Sequence, residues 1–369
     1  MDSPASTPAS ADAVTPEQPR PNLSAVAALA GVSASTASLA FSGAGPVSEK
    51  TRARVMAAAE QLNYAGPDPR AQGLRRGRSG IVGVIIEDRL SDVFRDPMNT
   101  AMFDGIAEEL GPEGASLLLL AGKADGTLYN APVDGVILIG CSTRLADSVT
   151  VFRQRGVPIV AIEAEPMDDV LPIDLDNREA SRTIARHLRD LGHERVAILS
   201  LPLERDHSRG PLTADREADA EGFTARERIL GVREVYPLAG GLVTAGSSID
   251  EGFLAATALL ALSDRPTAVI AQSDLLAVGV IRAALELGLR VPEDVSVVGF
   301  DGIRLEGIAP HDLTTMVQPS FDKGRAAGRS VLALIAGEPA RSEAFESTFH
   351  LGATTAPPAA LVRPHGRHV

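Results

Sequence analysis

Beyond residue 80 the chain alternates between apolar runs of strand length and segments with helical periodicity. The predicted strands are 81–86, 116–120, 135–139, 158–162, 195–199, 268–271 and 296–300, and the predicted helices are 98–110, 178–191, 250–262 and 275–287. Apolar strands separated by helices are typical of parallel sheets whose two faces are both covered. The stretch is too long for one such core, so we predict an α/β architecture with two lobes, each a parallel, doubly wound sheet. The link 121–133 is short for a crossover and has room for one helical turn at most.

Three short helices are predicted ahead of this region, over residues 23–30, 34–41 and 49–63. Asn22, Ser33 and Ser48 stand at their starts, where a side-chain oxygen can accept hydrogen bonds from free backbone N–H groups. Gly31 lies in the tight turn between the first two helices. This spacing is typical of a helix-turn-helix, whose second helix enters the DNA major groove. An ordinary helical hairpin is the alternative.

Charge is distributed unevenly along the chain. The net charge is −13, yet residues 22–78 carry +4, residues 1–21 carry −2 and the remainder carries −15. A small basic unit ahead of a large acidic one favours a nucleic-acid module attached to a separate body.

Composition excludes several classes of protein. A hydrophobic content of 44% excludes disorder over the full length, and an aromatic content of 4% with no Trp predicts an aliphatic core. The single Cys141 excludes an intramolecular disulfide framework and a Cys-cluster zinc site. No apolar run approaches the ~20 residues of a membrane helix. Residues 1–21 lack the features of a secretory signal and are predicted to form a disordered tail.

Several motifs, in the same order along the chain, resemble the lactose/galactose repressor family. They are LSAVAALAGVSASTASLAFS (23–42), VSEKTRARV (47–55), LNY (62–64), NREASR (177–182), HLRDLGHERVA (187–197), GLRVPEDVSVVGFD (288–301) and LTTMVQP (313–319). The resemblance covers about residues 22–358. It implies a helix-turn-helix headpiece followed by a two-lobed effector domain similar to periplasmic sugar-binding proteins.

The resemblance also implies which headpiece residues meet DNA. Ala34, Ser35 and Leu39 match base-reading positions, although Leu39 can instead pack within the headpiece. The matches to phosphate-contacting or flanking positions are Asn22, Ser33, Thr36, Ser38, Ser42 and Ser48. Family members often have Arg where Leu39 stands and Asn where Ser42 stands. A Leu can contact a thymine methyl but cannot bind guanine through two hydrogen bonds, so the operator is not expected to copy that of relatives.

Residues 67–79 resemble the family's hinge helix. The resemblance implies that Leu74 enters the minor groove as a wedge and that Ala71 and Arg75 lie beside the DNA. The spacing from Tyr64 to Leu74 is one residue longer than expected, and Gly73 weakens a helix. A flexible basic linker without a wedge is the alternative.

In the effector domain, the resemblance places ligand-binding residues where strands end. Asp301, Ser273, Glu163 and Asp88 follow predicted strands, and Asp219 stands where many relatives have a sugar-binding Arg. A cleft with several carboxylates and few cations suits polyols or cationic ligands better than phosphates or acids. The alternative is that these carboxylates are solvated loop ends.

Two other classes of protein are alternatives to a DNA-binding regulator. An enzyme is disfavoured because the chain has no dinucleotide-binding glycine motif, phosphate-binding loop, zinc-protease motif or nucleophile elbow. His187 and His193 flank the end of a predicted helix, a place where a His suits the helix dipole, and both are interpreted as structural. A ligand-binding protein with a degenerate headpiece is the other alternative.

The sequence therefore predicts a cytoplasmic, nucleoid-associated homodimer that represses transcription from a palindromic operator and responds to a sugar-like effector. No cofactor, metal or membrane is expected. The predicted divisions are a tail (1–21), a headpiece (22–66), a hinge (67–79), an effector domain (80–358) and a second tail (359–369). The effector lobes are expected over 80–175 with 318–345 and over 176–317 with 346–358. Residues 352–369 contain no Leu heptad, so no tetramerising coiled coil is expected.

Overall fold

A computed structural model describes residues 21–43, 45–66, 77–86, 93–121, 126–139, 145–303 and 312–359. The chain divides into two compact units, residues 1–79 and 80–369. Several predictions lie outside the described residues. They concern Ala71, Leu74, Arg75, Asp88, Cys141 and nearly all of both tails.

The described part of the first unit contains three helices, α1 (Leu23–Leu29), α2 (Ala34–Ser42) and α3 (Glu49–Gln61). All three begin where predicted, because the side chains of Asn22, Ser33 and Ser48 each accept a hydrogen bond from the backbone N–H three residues later. Gly31 adopts a φ of 65° in the turn between α1 and α2, a conformation that favours glycine. No single described helix is long and apolar enough to span a membrane; α1 and α2 meet that criterion only as a pair, bent by 101°.

Small side chains form the core of this headpiece. Val26, Ala37, Ala40 and Val55 are fully buried, which lets the three short helices approach closely. Phe41 and Tyr64 pack edge to face with ring centres 5.7 Å apart. The headpiece thus has its own core, as a separate DNA-binding module requires.

The second unit is an α/β structure. In chain order its elements are β1 (Ile81–Ile86), α4 (Pro97–Leu110), β2 (Ser116–Ala121), α5 (Gly126–Asn130), β3 (Gly135–Ile139), α6 (Leu145–Gln154), β4 (Ile159–Ile162), β5 (Val170–Leu175), α7 (Asn177–Asp190), β6 (Val196–Ser200), β7 (Gly210–Pro211), α8 (Ala214–Ala218), α9 (Phe223–Arg233), β8 (Gly240–Val243), α10 (Ile249–Leu260), β9 (Ala268–Ala271), α11 (Asp274–Glu286), β10 (Ser296–Asp301), β11 (Thr314–Val317), α12 (Ser320–Ala336), β12 (Glu343–Phe345) and β13 (Thr348–His350).

The strands form two sheets, which define two lobes. Lobe 1 has the strand order β12-β5-β4-β3-β1-β2, with parallel pairing throughout. Lobe 2 has the order β13-β11-β10-β9-β6-β8-β7, and its central strands are parallel. The predicted fold class is confirmed, with one difference: β13 and β7 pair antiparallel at the two edges of the second sheet. The predicted one-turn link contains α5, whose five residues slightly exceed one 3.6-residue turn.

The chain passes between the lobes three times, after β5, after β11 and after β12. The first and third of these segments are joined, because the Asp176 carboxylate accepts hydrogen bonds from the backbone N–H and the hydroxyl of Ser347, at 2.9 and 2.7 Å. Each lobe is therefore built from segments that are distant in sequence, and the crossing segments lie together.

Glycines allow two helix pairs to touch backbone to backbone. In lobe 1, a Cβ added to Gly105 of α4 would lie 2.1 Å from the Phe321 carbonyl oxygen, and one added to Gly324 of α12 would lie 2.1 Å from that of Met102. In lobe 2, Gly252 of α10 and Gly279 of α11 are similarly crowded. Any larger residue at these crossings would force the helices apart.

Candidate functional site: a helix surface and an interlobe cavity

The first candidate site is the outer surface of α2. Its cap residue Ser33 also lies within 2.9 Å of the Ser35 hydroxyl and 2.8 Å of the Thr36 hydroxyl. Ser33, Ala34 and Ser35 are exposed, whereas Thr36 and Ser38 are half-buried. Hydroxyl groups at a helix start, beside free backbone N–H groups, are well placed to bind phosphate oxygens.

The Leu39 side chain is partly exposed and partly packed within the headpiece, which are the two alternatives that its sequence position allows. Its side chain is 38% exposed. A Cβ at Gly45 would lie 3.2 Å from its Cδ2 atom, so part of the side chain covers the loop after α2. The exposed part is available to a partner surface. Asn22, Ser42 and Ser48 are exposed as well.

The second candidate site is a cavity between the two lobes of the effector unit. Lobe 1 contributes Ile86, Asp96, Met98, Asn99 and Ile139, and lobe 2 contributes Leu201, Pro202, His207, Arg228, Gly246, Ser247, Ser273 and Asp301. The space between them is about 770 Å³, including the part open to solvent at the mouth.

The strand ends bring polar side chains to this cavity. Ser273 follows β9, and Asp301 ends β10, the neighbouring parallel strand. Asp301 has a φ of 121°, and Glu163, which follows β4, has a φ of 54°. Residues other than glycine rarely adopt positive φ, and such strain is concentrated at functional sites.

Six buried side chains from both lobes form a closed ring next to the cavity. They are Arg228, Asn177, Glu163, Lys323, Gln318 and Asp301. On one side, Arg228 Nε donates to Asn177 Oδ1 at 2.8 Å, and Asn177 Nδ2 donates to Glu163 Oε2 at 2.7 Å.

Lys323 joins the two sides of the ring, because its ammonium group donates to Glu163 Oε1 and to Gln318 Oε1. Gln318 Nε2 then donates to Asp301 Oδ1 at 2.6 Å. Arg228 NH1, 3.6 Å from Asp301 Oδ1, closes the ring as an ion pair. A change in how Arg228 or Asp301 is bound is thus linked by direct contacts to Glu163 and Lys323 in lobe 1.

Burial and charge act against each other in this ring. Burial raises the pKa of Glu163, but Lys323 and Arg228 together lower it below its ordinary value. Burial raises the pKa of Asp301 well above its ordinary value, and Arg228 opposes that rise only in part. Burial also raises the pKa of the neighbouring Asp274 to about 7. Among the described residues, no group of three or more His, Cys, Asp or Glu side chains could hold a metal ion.

The structure brings some of the predicted effector residues together and separates others. Asp301 and Ser273 line the cavity, and Glu163 lies behind it, 3% exposed and bonded within the ring. Asp219 does not line the cavity: it ends α8 and is exposed to solvent. The expectation of few cations also needs correction, since Arg228 lines the cavity and Lys323 is fully buried beside it.

Sequence reasoning missed Arg228 because it did not predict α9. A signal was present: Ala225, Ile229 and Val232 are buried on the inner face of this helix, and Arg228 falls on the same face. A helical pattern over this segment, with one cation among its apolar positions, would have predicted that Arg228 lies on the buried face of the helix. Lys323 carried a similar signal, since Ala326, Ala327 and Val331 follow it on the buried face of α12.

Comparison with known proteins finds relatives for both units of the chain. The model of the family described as "Bacterial regulatory proteins, lacI family" matches residues 22–66, and the model of a periplasmic binding protein-like domain matches residues 185–354. The HTH-type transcriptional regulator IpsA of Corynebacterium glutamicum is 32% identical, covering 91% of this chain and 97% of the relative. The ribose operon repressor of Escherichia coli K12 is also 32% identical, over 82% of this chain and 89% of the relative.

Among solved structures, the lac repressor dimer bound to operator and the anti-inducer ONPF aligns with a TM-score of 0.72 and 25% identity, covering 92% of this chain and all of that chain. Relatives of this kind are transcriptional regulators and not enzymes, in agreement with the lack of catalytic motifs in the sequence. An exposed, hydroxyl-lined second helix in a headpiece, a two-lobed binding domain and these full-length relatives identify the chain as a DNA-binding transcriptional repressor of the LacI family.

Proposed function

We propose that the protein binds a palindromic operator as a cytoplasmic, nucleoid-associated homodimer and represses transcription there. In this proposal each α2 enters the major groove of one half-site, where Ala34, Ser35 and Leu39 contact base edges. Asn22, Ser33, Thr36, Ser38, Ser42 and Ser48 contact the phosphate backbone on either side. Leu74 of the 67–79 hinge enters the minor groove between the half-sites as a wedge, and Ala71 and Arg75 lie beside the DNA.

A small sugar-like molecule or polyol in the interlobe cavity is the proposed effector. The observation that carries this proposal is the cavity itself, where Asp96, Asp301, Ser247, Ser273 and Arg228 place acceptors and donors side by side. Ligand hydroxyls, which both donate and accept, fit such a lining. The effector acts by binding one arrangement of the lobes more tightly than the other.

Selection of DNA from the source genome tests the operator. Fragmented genomic DNA is incubated with the purified full-length protein at about 0.15 M salt, which suppresses purely electrostatic retention, and the bound fragments are sequenced. We expect a few enriched fragments that share a palindrome. Uniform recovery of the genome would contradict sequence-specific binding and would favour a ligand-binding protein with a degenerate headpiece.

A further inference from the structure

Ion pairs between the lobes have the same polarity throughout the part of the chain that the structure describes. They are Asp147–Arg205 at 3.0 Å, Glu165–Arg226 at 3.1 Å and Glu163–Arg228 at 3.8 Å. In each pair, lobe 1 supplies the carboxylate and lobe 2 supplies the guanidinium group. The lobe surfaces that meet at these contacts therefore carry opposite charges and attract each other.

Arg205 is held towards lobe 1 by a residue of its own lobe. Its Nε donates to Glu221 Oε2 at 2.5 Å, and its NH1 donates to Asp147 Oδ2 on α6 at 3.0 Å. The loop that carries Arg205 is fixed to lobe 2, because Leu203 is fully buried in the core of that lobe. An arginine that is held in place before it meets Asp147 loses less conformational entropy when the pair forms.

Arg226 reaches lobe 1 from the first turn of α9. Its guanidinium lies 5.6 Å from the centre of the Phe223 ring, and its NH2 donates to Glu165 Oε1 at 3.1 Å. On the same turn, the hydroxyl of Thr224 donates to the Glu163 backbone oxygen at 3.5 Å. The start of α9 thus contacts the segment after β4 at two places.

The three ion pairs differ in their access to dissolved ions. Asp147 and Arg205 are both 46% exposed and Glu165 is exposed, whereas Glu163 and Arg228 are buried. Salt screens exposed charges strongly and buried charges much less. A higher salt concentration should therefore weaken the two exposed pairs and leave the buried pair in place.

We propose that Asp147–Arg205 and Glu165–Arg226 form an ionic clasp, which holds the two lobes together and makes their separation depend on ionic strength. Exposed pairs are too weak to decide whether the unit folds, but a few-fold effect is enough to shift a balance between two arrangements of the lobes. The loop of Arg205 also lines the cavity through His207, so opening the clasp widens the cavity. The clasp goes beyond the proposed function and does not depend on the identity of the effector.

Electron–electron resonance between two spin labels on the full-length protein measures the separation of the lobes. The labels are attached through Thr150→Cys on α6 and Ala218→Cys on α8, both exposed and outside the clasp, after Cys141→Ser has removed the single native thiol. An excess of unlabelled chain keeps the measured distance within one chain. Between about 0.05 M and 0.5 M salt the Debye length falls from about 14 Å to about 4 Å. We expect the ratio of short to long distances to fall by about threefold or more over this range.

Variants show whether the ion pairs themselves cause the effect. At low salt, Arg205→Gln and Arg226→Gln should each lower the ratio of short to long distances by about twofold to fivefold, and the double variant should lose most of the salt dependence. Exchanging the charges, Glu165→Arg with Arg226→Glu, should restore the ratio that Arg226→Glu alone lowers. Arg290→Gln is the matched control, because the pair of Arg290 with Asp294, at 2.9 Å, is exposed but lies entirely within lobe 2. This control should leave the ratio unchanged.

Each possible result either supports or overturns the clasp. A ratio of short to long distances that is the same at both salt concentrations would overturn it, as would wild-type ratios in both single variants. A loss in Arg226→Glu that the exchanged charges do not restore would show that Arg226 acts through something other than its ion pair, which also contradicts the proposal. None of these outcomes affects the proposed repressor function, which the selection of genomic DNA tests separately.

Discussion

Asp301 combines three properties that are rarely found together in one residue. It is almost fully buried, its backbone adopts a positive φ, and its carboxylate both lines the cavity and belongs to the ring that reaches lobe 1. A bound hydroxyl at Asp301 would therefore change the environment of Gln318 and, through it, of Lys323. Asp301, like Arg228, is a residue through which a ligand in the cavity can act directly on the ring.

Replacing Asp301 by Ala should abolish the effector response while the affinity of the effector-free protein for its operator stays the same. The reason is that the substitution removes a ligand acceptor in the second unit and leaves the headpiece unaltered. Fluorescence anisotropy with labelled operator, with and without effector, measures both quantities. Asp219→Ala is the control, since Asp219 is exposed outside the cavity and its loss should leave the response intact. A normal response in Asp301→Ala would place the ligand elsewhere.

His193 is buried and bonded on both ring nitrogens, in keeping with the structural role expected from the sequence. It is 2% exposed, and its ring nitrogens lie 2.9 Å from the Thr267 hydroxyl and 2.9 Å from the Ala356 carbonyl oxygen. Burial lowers the pKa of His193 below its ordinary value of 6.5, and the hydrogen bond to the Ala356 carbonyl opposes that change only in part. His193 thereby fixes the segment after β13 to the second sheet.

This lowered pKa predicts a pH-dependent stability. The unfolded chain takes up a proton on His193 near pH 6.5 and the folded chain only at lower pH, so its stabilising contribution is complete above about 6.5 and is lost as pH falls below that value. The difference in unfolding free energy between wild type and His193→Gln, measured by urea titration from about pH 7.5 to 5, should shrink towards low pH, by at most about 1.4 kcal/mol per pH unit. Asp274, whose pKa is raised to about 7, gives the unfolding free energy the opposite pH dependence. Because Asp274 is present in both proteins, its contribution cancels in the difference between wild type and His193→Gln. A difference in unfolding free energy that does not vary with pH would contradict the lowered pKa of His193.

At the scale of elements, the apolar pattern located the central strands well. Predicted and observed boundaries of β1, β3 and β9 coincide, because these strands are buried on both faces and read as uninterrupted apolar runs. The strands β5, β8 and β11 were missed, since their exposed or polar positions interrupt that pattern: β5 contains Pro172 and Asp174, β8 begins with two glycines and β11 with two threonines.

The candidate site was predictable to a similar extent. Asp301 and Ser273 could be found because the carboxyl ends of parallel strands meet at one edge of a sheet. The ring could not, since Lys323 meets Glu163 across 160 residues of sequence and no local pattern links them. Charged pairs of this kind become visible only when the lobes are assembled.

The contact between α4 and α12 should be sensitive to a single methyl group. Gly324→Ala would place a Cβ 2.1 Å from the Met102 carbonyl oxygen, and overpacking of this kind costs about 1–3 kcal/mol of unfolding free energy. Gly240→Ala on β8 is the matched control, because a Cβ there would meet no atom within 4 Å. Denaturant titration of both variants measures the two costs. Equal stability of the two would show that α12 can move away from α4 freely.

The hinge region offers a second prediction at this scale, resting on the resemblance alone. Leu74→Ala should weaken binding to operator more than binding to unrelated DNA, because a minor-groove wedge acts only where a base step opens. Electrophoretic mobility shifts on the two DNAs give the ratio. An equal loss of affinity for both DNAs would favour the alternative in which residues 67–79 form a flexible basic linker without a wedge.

For the whole molecule, buried and exposed contacts between the lobes differ in strength. Arg226 and Glu165 form an exposed pair across the cleft at 3.1 Å, whereas Lys323, Glu163 and Arg228 are buried at the same boundary. Exposed pairs contribute at most about 1 kcal/mol, while removing one partner of a buried pair costs about 3–5 kcal/mol.

Lys323→Met should therefore destabilise the second unit far more than Arg226→Gln. Thermal or urea unfolding followed by circular dichroism gives both values. The double variant Lys323→Met with Glu163→Gln should recover part of the loss, since the Glu163 carboxylate would otherwise stay buried with only the more distant Arg228, at 3.8 Å, to balance its charge. A loss in Lys323→Met as small as that in Arg226→Gln would show that the ring does not hold the lobes together.

The three passages of the chain between the lobes also determine the order in which the protein can be completed during synthesis. Lobe 1 needs α12 and β12, which end at residue 345, to cover α4 and to extend its sheet beyond β5. The headpiece, which needs only residues 22–66, leaves the ribosome first and can fold before either lobe. A chain cut short by a nonsense codon between α11 and β12 would accordingly keep a folded headpiece but would be unable to complete lobe 1.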